Sequence, residues 1–360
     1  MTDSRVVGQV RIVGTGLLGA SIGHALMNRG VDVILHDASR ANVTLAIDYG
    51  AGRAPADGDR PGLVIVAVPP DVTADVIAAE LQAWPDATVT DVASVKSGIL
   101  AELTKAGADL SRYVGSHPLA GRERGGAISA RADLFFGRPW VITEGDTARR
   151  RIVEDLVLDL GAVPVTMTAD EHDSSVALIS HVPQVVATLL ARRLGGAPEP
   201  AVGLAGQGLR DTTRIASSNP ELWVQILGAN AAPVVDILRS YRDDLDTMLT
   251  ALERPDAPGS RRAIAEVLAG GNAGVARIPG KHGQARQFSQ LVVMVDDKPG
   301  ELARLLTEIG EAGVNMEDLR LEHSPGAQVG LAEISVLPES KQGLVAELEG
   351  RGWKVAEAFE

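Results

Sequence analysis

Apolar residues in the first half of the chain come in short continuous runs. Residues 7–13 (VGQVRIV), 31–36 (VDVILH), 63–68 (LVIVAV), 88–92 (TVTDV), 113–116 (YVGS) and 140–143 (WVIT) read as strands, with helical stretches between them. A run such as LVIVAV has no polar face, as expected when helices cover both sides of a parallel sheet. Strands and helices alternating in this way predict a doubly wound α/β domain over residues 1–168.

After TADEHD (168–173) the pattern changes to helical spacing. Val176, Ile179, Val186 and Leu190 share one stripe, and SSNPEL (217–222) offers Ser or Asn as an N-cap with Pro220 in the first turn. Val234, Ile237, Leu238, Tyr241, Leu245, Met248, Leu249 and Leu252 keep a three-to-four spacing, with Pro233 expected to kink or break their helix. Residues 169–270 therefore read as an all-helical domain whose long apolar stripe serves as core or as a dimer face. Residues 271–287, rich in Gly and basic side chains, read as a linker. From 288 to 360 the order restarts as strand, helix, two strands, helix and strand, a ferredoxin-like βαββαβ unit.

At 360 residues the chain is long for one core and fits two or three domains. A formal charge of −13 argues against nucleic acid as a partner, since phosphate binding needs a basic face. No uninterrupted apolar run reaches the roughly 18 residues of a membrane helix, so no membrane partner is expected. The absence of cysteine excludes disulfides and thiolate chemistry and fits a cytoplasmic setting.

Gly14-Thr15-Gly16-Leu17-Leu18-Gly19 lies between the first strand and a helix, where a GxGxxG turn carries meaning. Its glycines let the backbone approach a pyrophosphate, and the helix N-terminus favours the anion. Asp37, 23 positions after Gly14, ends the second strand and suits a ribose 2′-hydroxyl. The first domain is thus of Rossmann type and NAD is the expected cofactor. Arg40 offsets only part of the repulsion Asp37 exerts on a 2′-phosphate, so NADP is disfavoured.

Strand ends in such a sheet face the cofactor crevice. DVASVKSG (91–98) and GSHPLAG (115–121) bring Ser94, Lys96 and His117 to that edge as candidates to approach the nicotinamide. A neutral imidazole accepts protons near pH 7, although a lone loop histidine serves equally well for packing or capping. Arg210 and Arg214, four apart, share a face if helical and suit a small molecule with two carboxylates; a solvated basic face is the plainer reading. His181, eight residues after Asp173 in an apolar helix, reads on its own as a core histidine.

HPLAGRERGG, ISHVPQ (179–184), GLRDTTRIASSNPELW (208–223), GTGLLGAS and DVASVK together resemble the prephenate dehydrogenase family, in order, over about residues 8–283. VVMVDDKPGELARLLTEIGEAGVNMEDL (292–319) resembles an ACT domain, a regulatory module that often binds amino acids. The resemblance implies NAD-dependent oxidative decarboxylation of prephenate to 4-hydroxyphenylpyruvate, without a metal, in a homodimer. It implies that His117 accepts the hydroxyl proton and that Ser94 holds that hydroxyl in register. Arg214 would clamp a substrate carboxylate with Arg210 and His181 nearby, and Glu123 and Trp223 would line or gate the pocket. Asp297, Gly300 and Leu302 lie where ACT domains hold an effector, here expected to be L-tyrosine. Arogenate, the amino analogue, is the alternative substrate. A β-hydroxyacid dehydrogenase and a non-catalytic NAD- and amino-acid-responsive regulator are the rival readings.

Overall fold

The structure is a computed structural model that describes residues 4–120, 126–278, 288–323 and 329–357. The chain divides into two compact units, Met1–Gly195 with Thr213–Tyr241, and Gly196–Thr212 with Arg242–Glu360.

The first unit opens with β1 (Gln9–Val13), α1 (Leu17–Met27), β2 (Val33–His36), α2 (Arg40–Asp48), β3 (Pro61–Val66), α3 (Pro70–Ala83), β4 (Thr88–Asp91), α4 (Ser97–Lys105) and β5 (Tyr113–Val114). These strands form one parallel sheet in the order β2-β1-β3-β4-β5. Arg53 adds a single bridge outside β2, with its amide on Val33 and its carbonyl on the Leu35 amide. That bridge occupies the place of the third strand in a Rossmann sheet. Val10, Ile12, Leu63 and Ile65 are buried on one face, and Val64, Val66 and Val89 on the other, which is why the runs carry no polar alternation.

The 140–143 run does not join this sheet. β6 (Ser116–Pro118), β7 (Pro139–Ile142) and β8 (Val163–Thr166) form a separate sheet, β6 and β7 antiparallel, β7 and β8 parallel, with α5 (Thr147–Asp159) between the last two. Sequence analysis did not identify β8, because Pro164 weakens a strand reading; β8 is an edge strand, where a missing amide is tolerated. His117, expected in a loop, lies on β6 opposite Val141.

The helical part begins with α6 (Ala169–Val176), opened by a Thr168–Glu171 capping box. One π turn, Ala177–His181, joins it to α7 (Val182–Leu194). Pro183 explains that turn: it has no N–H for the Ile179 carbonyl and its ring crowds that position. The whole run Ala169–Leu194 is long and apolar enough to cross a membrane, with a mean hydropathy of 1.5. It nevertheless buries His172, Asp173, His181 and Gln184 in polar contacts of this unit. Three helices follow, α8 (Glu199–Gly203), α9 (Gln207–Thr213) and α10 (Pro220–Ala229). Asn219 caps α10 through its side chain. α11 (Ala231–Glu253) starts directly after Asn230, so the break expected at Pro233 falls three residues earlier and Pro233 sits in a first turn. α12 (Ser260–Val275) runs on into the stretch read as linker.

The second unit ends in β9 (Ser289–Asp296), α13 (Glu301–Glu311), β10 (Asp318–His323), β11 (Val329–Val336), α14 (Pro338–Gly350) and β12 (Lys354–Glu357). The sheet order is β10-β11-β9-β12, antiparallel throughout. Leu291, Val293 and Val295 alternate inward on β9 and pack with Leu305, Ile309, Ile334, Leu344 and Leu348.

Candidate active site

The glycine turn follows the spacing of its motif. Gly14 has φ +100°, and a Cβ there would stand 2.2 Å from the Ala67 carbonyl oxygen. A Cβ on Gly19 would stand 1.9 Å from the Gly14 carbonyl oxygen, so that glycine lets α1 pack on the turn. At Gly16 the same atom would meet open space, which leaves the approach to the N-terminus of α1 clear. Leu17 begins that helix and Leu18 packs on the core. Asp37 Oδ2 accepts from the Thr15 amide at 2.8 Å and hydroxyl at 2.9 Å, and Oδ1 from the Ser39 amide at 2.9 Å. Burial pushes its pKa up, but these hydrogen bonds outweigh that and hold the carboxyl below its ordinary range. An ionised carboxylate at the end of β2, beside an open helix N-terminus, fits a dinucleotide with a free ribose 2′-hydroxyl.

At the end of β4, buried Asp91 organises the next layer. It forms an ion pair with Lys96 Nζ, accepts from the Ala93 amide at 2.8 Å and from the Tyr113 hydroxyl at 2.7 Å. Burial lowers the Lys96 pKa against the pull of Asp91, and burial with the Asp91 charge raises Tyr113 well above its usual value. Lys96 is 1% exposed, so the expectation that it approaches the nicotinamide is not met. Its ammonium serves Asp91 instead. Ser94 stands on the bend between β4 and α4 with its side chain half-exposed.

His117 is anchored from both sides. Its neighbour Ser116 is buried, donates to the Asp91 carbonyl at 2.7 Å and accepts from Trp140 Nε1 at 3.0 Å. Alternation along β6 buries Ser116 and Pro118 on one face and leaves His117 half-buried on the other. Its Nδ1 lies 2.8 Å from Nε2 of His172. Nδ1 of His172 in turn lies 2.8 Å from Asp173 Oδ1. Burial, followed by the charges of His172, Lys96 and His181, holds the His117 pKa well below its ordinary value. The group is neutral at pH 7.

His181 is buried, with Nδ1 accepting from Asn230 Nδ2 at 3.0 Å, and its ring meets Trp223 edge to face at 6.0 Å between centroids. Burial brings its pKa down to about 4; Asp173 opposes and His172 assists that shift. The Asn230 bond uses the Nδ1 lone pair, so neutral His181 presents Nε2–H. Gln184 donates to the Ser218 hydroxyl at 2.7 Å.

Arg210 and Arg214 do not share a helical face. α9 ends at Thr213, Arg214 opens a 3-10 turn, and the two exposed arginines fall in different units. Glu123 lies outside the described residues. Asp297 and Gly300 lie between β9 and α13, Gly300 with φ +93° as the N-cap of α13, and Leu302 lies in the first turn of that helix. Sequence reasoning did not bring His172, Asp173, Asn230 or Tyr113 to the site. The only local signal was a histidine followed directly by an acid in EHD.

Residues 22–166 match the family model for the prephenate dehydrogenase nucleotide-binding domain, and residues 168–266 the model for the prephenate dehydrogenase dimerization domain. Over 353 residues, 95% of this chain and 98% of the relative, the chain is 37% identical to the probable prephenate dehydrogenase NovF of Streptomyces niveus. It resembles the crystal structure of prephenate dehydrogenase from A. aeolicus in complex with hydroxyphenyl propionate and NAD+ at 25% identity and a TM-score of 0.65, covering 74% of this chain and 98% of that one. For Synechocystis arogenate dehydrogenase the identity is 26% and the TM-score 0.61, covering 74% of this chain and 99% of that one.

Proposed function

Because the chain belongs to the prephenate dehydrogenase family, we propose that His117, Ser94, His181 and Arg214 carry out the reaction of that family here. The protein is an NAD-dependent oxidoreductase that converts prephenate to 4-hydroxyphenylpyruvate by oxidative decarboxylation, in tyrosine biosynthesis. The observation that carries the residue reading is His117 itself: half-buried, neutral, and tied down through Ser116 and His172.

Backbone amides of the Gly14–Gly19 turn are suited to the pyrophosphate, and Asp37 to the ribose hydroxyls. Bound NAD supplies the acceptor for hydride from the ring carbon that bears the hydroxyl. As that carbon becomes trigonal, His117 takes the hydroxyl proton. It returns the proton to the ring oxygen when CO2 leaves the opposite carbon and the ring becomes aromatic. Ser94 orients the hydroxyl, and Arg214 forms a two-pronged pair with a substrate carboxylate. In this reading Trp223 steadies the His181 ring that donates from Nε2. Aromatisation drives the reaction, so catalysis needs placement, one base and cationic anchors. Asp37 repels a 2′-phosphate, which favours NAD over NADP.

In the same reading residues 288–357 form an ACT domain that binds L-tyrosine at Asp297, Gly300 and Leu302 and restrains turnover. Its βαββαβ order and antiparallel sheet support this. A homodimer is supported by the match of residues 168–266 to a dimerization domain and by the exposed Leu189, Val224, Leu245, Leu249 and Leu252. Arogenate is the second reading, favoured by the likeness to Synechocystis arogenate dehydrogenase.

The test is formation of reduced nicotinamide by purified protein offered prephenate or arogenate, each with NAD or NADP. Turnover of prephenate with NAD is expected to lead. Absence of turnover with all four pairs, from protein that binds NAD, would return the chain to the class of non-catalytic regulators. Adding tyrosine to the full chain and to variants at Asp297 tests the ACT reading, which predicts inhibition of the former and relief in the latter.

A further inference from the structure

We infer that His172 and Asp173 form a relay that selects the tautomer of His117, placing its proton on Nδ1 and leaving the Nε2 lone pair free for the substrate hydroxyl. The catalytic half of this inference rests on the reaction read above. The tautomer half stands on the hydrogen-bond geometry and on the ionised Asp173 carboxylate.

The chain of assignments starts at Asp173. Its Oδ1 accepts from the Lys96 amide at 2.8 Å and its Oδ2 from the Ser97 amide at 2.8 Å, the two amides at the N-terminal end of α4. Its carboxyl is thereby held below the ordinary range, the His172 bond and these amides outweighing the effect of burial. An ionised carboxylate only accepts, so the nitrogen 2.8 Å from Oδ1, His172 Nδ1, carries a proton. A neutral imidazole has one N–H, which makes His172 Nε2 a lone pair. That lone pair faces His117 Nδ1 at 2.8 Å, so His117 Nδ1 carries the proton and its Nε2 is the acceptor.

His172 is fully buried. The Lys96 ammonium, already paired with Asp91, and His181 bear on the His117 ring. Asn230 fixes the far side of Asp173 by donating to its backbone carbonyl at 2.8 Å. When His117 gains the hydroxyl proton at Nε2, the charge forms on a ring whose Nδ1–H already points at His172, with the Asp173 carboxylate behind it. His172 and Asp173 are positioning residues. Neither has to touch the substrate.

The experiment is long-range proton–nitrogen spectroscopy on the full-length protein labelled with ¹⁵N at histidine, near neutral pH, with His117→Gln and His172→Leu assigning the signals. The expected result is His117 protonated at Nδ1 and bare at Nε2, the reverse of the tautomer favoured by imidazole in water. In His172→Leu the His117 proton should move to Nε2. Turnover number should fall at least about tenfold while the KM values for prephenate and NAD stay within about threefold. His172→Gln, whose amide oxygen accepts from His117 Nδ1, should recover most of that loss. A wild-type His117 protonated at Nε2, or a doubly protonated His172, overturns the relay. So does a folded His172→Leu variant with wild-type turnover number. Should the Nδ1 tautomer be found in a protein that does not turn over prephenate, the relay stands and the reaction reading falls.

Discussion

Asn230 holds His181 from the break between two helices. Its side-chain nitrogen donates to His181 Nδ1 at 3.0 Å and to the Asp173 carbonyl at 2.8 Å, and the residue is 2% exposed. A polar residue at the α10–α11 junction therefore sets the tautomer of a ring 49 positions earlier in the chain. Asn230→Ala leaves a buried carbonyl and a ring nitrogen without their donor. The expected costs are about 1–3 kcal/mol of stability and a raised KM for prephenate with little change in that for NAD. Denaturant titration and steady-state kinetics on the same preparation check both.

The depressed pKa of His117 fixes the shape of the pH profile. A base acts in its neutral form, so kcat/KM should stay level as pH falls through 6.5 and decline only on the acid side of the ordinary histidine value. An acid limb centred at or above 6.5 would contradict the burial argument. His117→Asn should lower the turnover number by about 10²–10⁴-fold and leave the dissociation constant of NAD nearly unchanged, as measured by calorimetry.

Acid should also weaken the fold, with a sign that follows from the same burial. His181 titrates at about 4 when folded against 6.5 when unfolded. Between those values the unfolded chain binds the extra proton, so stability is complete above pH 6.5 and is lost as pH falls toward 4. The contribution is on the order of 3 kcal/mol, given that the ring is almost wholly buried. Thermal melts across that window should fall steeply in wild type and less steeply in His181→Leu.

Glycines of the nucleotide turn separate fold from ligand. Gly19→Ala places a Cβ 1.9 Å from the Gly14 carbonyl oxygen and should destabilise the protein outright. Gly16→Ala meets open space, so the melting temperature should hold while NAD affinity drops by about tenfold or more, the methyl group standing where pyrophosphate approaches. Differential scanning calorimetry with and without NAD distinguishes the two.

Asp37→Ser removes the carboxylate that repels a 2′-phosphate and also one acceptor for the Thr15 and Ser39 amides. The NADP-to-NAD ratio of kcat/KM should rise by about tenfold or more, chiefly through lost NAD affinity. An unchanged ratio would move the discriminating contact elsewhere in the turn.

Much of this architecture was legible in the chain because its causes are local. Continuous apolar runs gave the parallel strands, GTGLLG and Asp37 gave the nucleotide turn, and alternation in β9 with the amphipathic α13 gave the C-terminal unit. Ser94 and His117 were candidates because they follow strand ends, whereas His181 read on its own as a core histidine and became a candidate only through the family resemblance. Whatever depended on which segments meet was not legible. β6 turned away from the main sheet and carried His117 with it, because Ser116 is bonded to the Asp91 carbonyl and Trp140. Lys96 looked like a cofactor residue and is instead buried on Asp91, a pairing that needs the β4–α4 bend to close. Arg210 and Arg214 have helical spacing, yet the helix stops between them. His172, Asp173 and Asn230 reach the site only through the packing of α6 and the α10–α11 junction. Their hydrogen bonds to His117, Lys96 and His181 span 49 to 77 positions, and no local pattern records a contact over such separations. The sequence by itself determined which groups can do the chemistry. Tertiary structure decided which of them are neutral, which are buried, and which nitrogen holds the proton.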